Sequence, residues 1–109
     1  MIGKHATTVT HDAKENVTRV TCYDTVVFTL DHENRTITLN SGGWINAGFY
    51  YCYLPKKRIN QAFDEFFGAG NFKVYQEKGI WYVKTPLYVR EFTDGMRIHL
   101  SKEMRENLI

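Results

Sequence analysis

Cysteine is scarce in this chain: 109 residues hold only Cys22 and Cys52. Two are too few for a disulfide scaffold, so a hydrophobic core has to hold the fold. Both cysteines read as small buried hydrophobes of a reducing compartment, with a Cys22–Cys52 bridge as the alternative because each sits in an expected strand. No apolar run approaches the roughly 18 residues that a membrane-spanning helix needs, and no secretory leader is evident. The expectation is a soluble cytoplasmic protein, in which the sequons at Asn16 and Asn34 carry no glycan message. A large excess of one charge is also missing, since the formal net charge is +2. That balance excludes a histone-like or basic-arm protein.

The chemistry of catalysis is equally thin. His5, His11, His32 and His99 are scattered, with neither the x-x-H nor the C-x-x-C spacing that gathers ligands on one metal. Asp64 and Glu65 are adjacent on an expected helix and so point about 100° apart, which does not make an acid/base pair. Gly42-Gly43 is too short for a phosphate loop, and Gly68-Ala69-Gly70 follows a helix instead of opening one. Expected are no enzyme activity, no metal and no cofactor.

What is present is aromatic and β-branched. Aromatic residues make up 15% and hydrophobic residues 43%, which at this length fits a single domain over 1–109. Residues 1–14 read as a loose arm or edge strand around Thr7–Thr10. Val17–Tyr23 and Thr25–Asp31 read as strands. In the second, Val26, Phe28 and Leu30 take one face while Thr25, Thr29 and Asp31 take the other. Thr36–Leu39 returns as a hairpin partner. Gly42-Gly43 punctuates the chain, and Trp44–Leu54 reads as a loop with a short extended piece. Pro55 is suited to a first helical position. From it Ile59, Phe63, Phe66 and Phe67 repeat at helical spacing, and Gly68 and Gly70 end the helix.

Two C-terminal hairpins are expected next: Phe72–Gln76 with Ile80–Lys84, and Tyr88–Phe92 with Met96–Leu100 about Thr93-Asp94-Gly95. Ser101 would cap a last helical turn containing Met104 and Leu108. The order predicts an α+β fold, an antiparallel β-sheet packed against one central amphipathic helix. Open sheet edges leave room for a homodimer.

Two features point to binding. Residues 55–109 hold ten Lys/Arg against seven Asp/Glu, where residues 1–54 hold four against five. Lys56, Lys57 and Arg58 would crowd the helix start, where cations oppose the dipole unless phosphate oxygens meet the free N–H groups. Asn60 and Gln61 stand one turn on. Trp44, Tyr51 and Tyr53 supply contact area nearby. Tyrosines beside Lys73, Lys84, Arg90 and Arg97 would form a stacking-and-charge platform for single strands. The same composition suits a protein–protein hot spot.

The segments T-L-N-S-G-G-W (Thr38–Trp44), R-I-N-Q-A (Arg58–Ala62) and F-K-V-Y-Q-E-K-G-I-W-Y-V (Phe72–Val83) occur here in that order. Their succession resembles a widespread group of small bacteriophage proteins to which no reaction is attached. The likeness spans roughly Val17–Val83; the tyrosine-bearing Ile45–Leu54 and the segment from Tyr88 to Leu100 depart from it. It implies an accessory phage protein made in the host cytoplasm. Such proteins bind nucleic acid or disable a host machine, and the latter role would make this chain a stoichiometric inhibitor of a host protein or defence nucleoprotein complex. No catalytic residue carries over.

Overall fold

The computed structural model describes residues 2–41 and 49–101, the side chains of 49–53 excepted. Trp44 and the expected turn of helix after Ser101 lie outside the described residues, as do the side chains of Tyr51 and Tyr53. Eight strands and one helix follow in the order β1 (Thr7–Asp12), β2 (Val17–Cys22), β3 (Thr25–Asp31), β4 (Thr36–Leu39), α1 (Phe49–Phe67), β5 (Lys73–Glu77), β6 (Ile80–Lys84), β7 (Val89–Glu91) and β8 (Met96–His99). The fold is α+β, as the sequence predicts. Its strands form two antiparallel sheets, one of order β1-β2-β3-β4-β8 and one of order β5-β6-β7.

The β1–β2 and β3–β4 hairpins share one turn design. The Asp12 carboxylate accepts the N–H groups of Lys14 and Glu15, and the Asp31 carboxylate accepts those of Glu33 and Asn34. In each, the fourth residue after the aspartate sits at positive φ, Asn16 at 56° and Arg35 at 56°. Aspartate favours this role because its short side chain mimics a backbone turn. The β5–β6 turn uses Lys78 and Gly79, with φ of 52° and 81°, the pairing that a two-residue type I′ hairpin requires.

The helix packs its apolar stripe on β2, β3 and β5, so one helix serves both sheets. Phe63 is central. Its ring lies 5.6 Å from that of Phe28 on β3 and 5.3 Å from that of Phe72, and Phe67 closes on Phe72 at 4.9 Å. Ile59, Ala62, Phe63 and Phe67 are buried, as the helical spacing predicts. Gly68 ends the helix at φ 87°, its N–H donating to the Asp64 carbonyl, and Asn71 caps the Phe67 carbonyl.

Three local expectations change. The helix does not start at Pro55: residues from Phe49 are already helical, and Pro55 lies inside. A ring at that point forfeits one backbone bond, but Pro55 is buried and packing outweighs the local preference. On β3, Val20 pairs with Phe28 and Thr21 with Val26, which leaves Val27 as a bulge. The extra residue flips the alternation, so Val27 enters the core and Val26 turns out. The two C-terminal hairpins are β5–β6 and β6–β7. Thr93-Asp94-Gly95 does turn the chain, with Gly95 at φ 82°, yet the strand after it pairs with β4 in the other sheet. The carboxylate of Asp94 explains this. It accepts both the N–H and the hydroxyl of Ser41 at 2.7 and 2.6 Å, which fastens the turn to the end of β4.

Candidate functional site

The basic run on α1 divides by the helical period. Arg58 faces inward and is 4% exposed. Its Nε donates to Thr7 Oγ1 at 2.8 Å, Nη1 to Gln61 Oε1 at 2.8 Å and Nη2 to the His5 carbonyl at 3.4 Å. Gln61 Oε1 also accepts the Gly3 N–H at 3.0 Å. Gly3 packs against this guanidinium, so a side chain there would have to displace it. Arg58 and Gln61 therefore clamp the N-terminal segment to the helix. Lys56 is half-buried, its ammonium 5.5 Å from the Trp81 ring centre and 3.4 Å from Gln76 Oε1. Lys57 is exposed.

Asn60 also has an internal task. Its amide donates to the Val74 carbonyl at 2.8 Å and accepts the Val74 N–H at 2.6 Å, replacing a neighbouring strand along β5. Helix start and cation cluster thus come apart. Cations at 56–58 follow at least one turn of helix, so free N–H groups of a first turn do not lie beside them. Of the residues singled out on α1, Arg58, Asn60 and Gln61 are held by the fold, while Lys56 and Lys57 retain exposure.

The outward face of the three-stranded sheet gathers the other features. Tyr75 pairs directly with Tyr82, their rings stacked at 5.5 Å and 26°. Two residues on, at the next pair of the same face, Lys73 sits opposite Lys84. Among the described residues neither lysine has a hydrogen-bond or ion-pair partner. Like charges directly opposite one another on a sheet are destabilising, and an anion between them would reverse the sign. Ile80 and Val89 occupy the same face at 42% and 54% exposure. Trp81 and Val83 point the other way into the core, where the Trp81 ring meets Phe92 edge-on at 5.2 Å. Arg90 pairs with Val83, which puts it on the inward side of edge strand β7, its guanidinium 4.6 Å from the Tyr88 ring centre. Arg90 is therefore not part of the tyrosine face. The two-residue Lys78-Gly79 turn carries the signal that identifies this face, because it fixes the register that brings Lys73 against Lys84.

The outward face of the five-stranded sheet is mostly polar, with Val17 in its groove and Val26 exposed near its end. Arg19, Thr29, Thr38 and Arg97 line up across β2, β3, β4 and β8 and floor an open groove of about 600 Å³. Arg19 is paired with Glu15 at 3.2 Å. Hydrogen bonds from the Asn34 backbone and side chain hold the Asp31 carboxyl below its ordinary value, with a further one from the Glu33 backbone. On the inner side, Cys22 is a free buried thiol. Burial pushes it up, and the Arg58 charge and a Thr7 hydrogen bond pull it partly back. A thiol raised this way stays protonated at neutral pH and is a poor nucleophile. Among the described residues no group of three His, Cys, Asp or Glu is placed to hold a metal. No helix there is long and apolar enough to cross a membrane.

The class defined by this arrangement is a small α+β protein with an aromatic, lysine-bearing outward sheet face. The chain belongs to the Kyanoviridae Gp96 protein family, a bacteriophage family whose model matches residues 2–99. That match takes in the closing strand β8, so the segment after Tyr88 belongs to the family pattern as well. No curated protein and no solved structure matches the chain.

Proposed function

We propose that this phage protein is a non-catalytic nucleic-acid binder acting in the host cytoplasm, and that its contact surface is the outward face of β5–β6. The observation that carries the reading is Lys73 opposite Lys84, two residues from the stacked Tyr75–Tyr82 pair on the same face. An extended single strand supplies what that face lacks, phosphates between the lysines and bases against the tyrosine rings. Lys56 and Lys57 add positive charge from the helix.

The test is fluorescence anisotropy of labelled single-stranded DNA and RNA at about 50 and 200 mM salt, conditions that separate phosphate contacts from the rest. Binding should weaken steeply with salt. Replacing Lys73 and Lys84 by alanine should flatten that salt dependence, and Tyr82→Ala should lower affinity by about 1–3 kcal/mol at either salt. Absence of binding at micromolar protein sinks the reading.

A second reading has its own observation. Ile80 and Val89 border the same face, and exposed aliphatic side chains have no use to a phosphate chain. A host protein surface would bury them with the tyrosines, as in a stoichiometric inhibitor. Such a complex should keep most of its affinity at high salt and lose it in Ile80→Asp.

A further inference from the structure

The four sheet edges are not alike. Natural proteins blunt an edge by shortening it, charging it, bulging it or covering it. Edge β7 is three residues long, and β8 presents Arg97 and His99. Along β5, the Asn60 amide occupies the N–H and carbonyl of Val74. Edge β1 has none of these protections. It runs for six residues, T-T-V-T-H-D, without proline, lysine or bulge, and its only formal charge is the terminal Asp12.

The backbone bonds show which groups β1 leaves unused. Tyr23 N–H donates to the Ala6 carbonyl at 2.7 Å, so Ala6 and Tyr23 are a hydrogen-bonded pair. Bonding alternates along an antiparallel ladder, so Thr8, Thr10 and Asp12 turn their groups towards β2. Thr7, Val9 and His11 turn theirs away. The Thr7 N–H is taken by the Lys4 carbonyl, which leaves its own carbonyl outward. Val9 is also on the core face, opposite Val20, yet lies beyond the helix at 47% exposure.

We propose that β1 is a dimerisation edge, pairing antiparallel with β1 of a second copy about a two-fold axis at Val9. A closed two-fold pairing sets a strand against itself, and this strand is self-complementary in that register. Val9 meets the partner's Val9 and exchanges both backbone bonds with it. Each His11 N–H reaches the partner's Thr7 carbonyl. On the outward side Thr8 faces the partner's Thr10, a favourable cross-strand pair, and no like charges meet. A centre at Thr10 would instead bring outward Thr8 against the partner's Asp12 and leave the two Val9 side chains apart. The result is one continuous sheet with the polar grooves side by side.

Sedimentation equilibrium of the whole chain at about 100 µM, a concentration that detects even weak pairing, should give twice the monomer mass of 12.8 kDa. In the dimer the Val9 and His11 amides should exchange slowly with solvent and become fast on dilution, while Thr8 and Thr10 stay protected in both. Val9→Pro deletes an N–H that the monomer does not use, so it should fold and sediment as a monomer. If its circular dichroism shows it unfolded, Val9→Lys serves instead, with the same monomeric outcome expected. A wild-type chain that stays at 12.8 kDa overturns the proposal and leaves the edge to an extended segment of another protein. A folded Val9→Lys chain that still dimerises overturns it too.

Discussion

Across the five-stranded sheet the outward row is Arg19, Thr29, Thr38 and Arg97; across β5 and β6 two outward rows are a lysine pair and a tyrosine pair. Both faces cover the same buried core, and both sit on sheets that the same helix holds. The larger face is built of β-branched hydroxyl residues that a strand favours and water solvates, with Arg19 neutralised by Glu15. The smaller face sets Lys73 against Lys84, carries Glu77 and Glu91 on the same side, and leaves two aliphatic side chains in water. The two faces thus differ in how closely their cross-strand pairs follow the preferences of a sheet.

The largest expected effect removes the comparison altogether. Phe63 contacts Phe28 of one sheet and Phe72 before the other, so Phe63→Ala should cost about 3–5 kcal/mol in urea unfolding through the cavity left behind. Both faces should lose their structure together. Arg58→Ala should cost about 1–3 kcal/mol, because Gln61, Thr7 and the His5 carbonyl lose a shared donor. Its damage should be one-sided. Hydrogen exchange should accelerate in β1 and spare β5–β6, and Arg58→Lys should not rescue it, since an ammonium cannot span the same fork of acceptors.

Lys73→Glu sharpens the contrast, for it should stabilise the fold by about 0.2–1 kcal/mol while abolishing nucleic-acid binding. Thr29→Val on the larger face should leave binding unchanged. The smallest effect is at Asp31. Its folded value lies below its ordinary 3.8, so the stabilisation it gives is present above that value and fades as pH falls through the lower, folded one. Asp31→Asn should therefore flatten only the acid limb of the stability curve, and a carboxyl NMR titration should place Asp31 below its ordinary value.

Local rules were enough for much of the frame. Phe63 and Phe67 fall on the stripe that a 3.6-residue period places inside, and Gly68 stops the helix where a left-handed residue is needed. The Lys78-Gly79 turn and the Asp-led turns carry their conformations in their own side chains. What escaped local reading depends on distant partners. Pro55 favours a helix start anywhere, and only packing decides that the helix runs on through it. The Val27 bulge shows no signature in an unbroken Val-Val-Phe run. The basic run at 56–58 illustrates the same limit: charge identifies three cations, but Gly3 and Thr7, some fifty residues earlier, decide that Arg58 is an internal tie. On β5–β6 the lysines and tyrosines were visible as a composition, and their register as opposed pairs came from the structure.

The pairing of β4 with β8 sets a timetable for a chain emerging from the ribosome. Leu39 lies opposite Met96, and the helix and the whole smaller sheet are synthesised between them. At ordinary translation speeds that interval lasts roughly 3–11 s, during which β4 is itself a raw edge. The Ser41–Asp94 bond cannot form any earlier. The sheet therefore closes late, and the nascent protein's exposure to misassembly at β4 should end when its last described strand arrives.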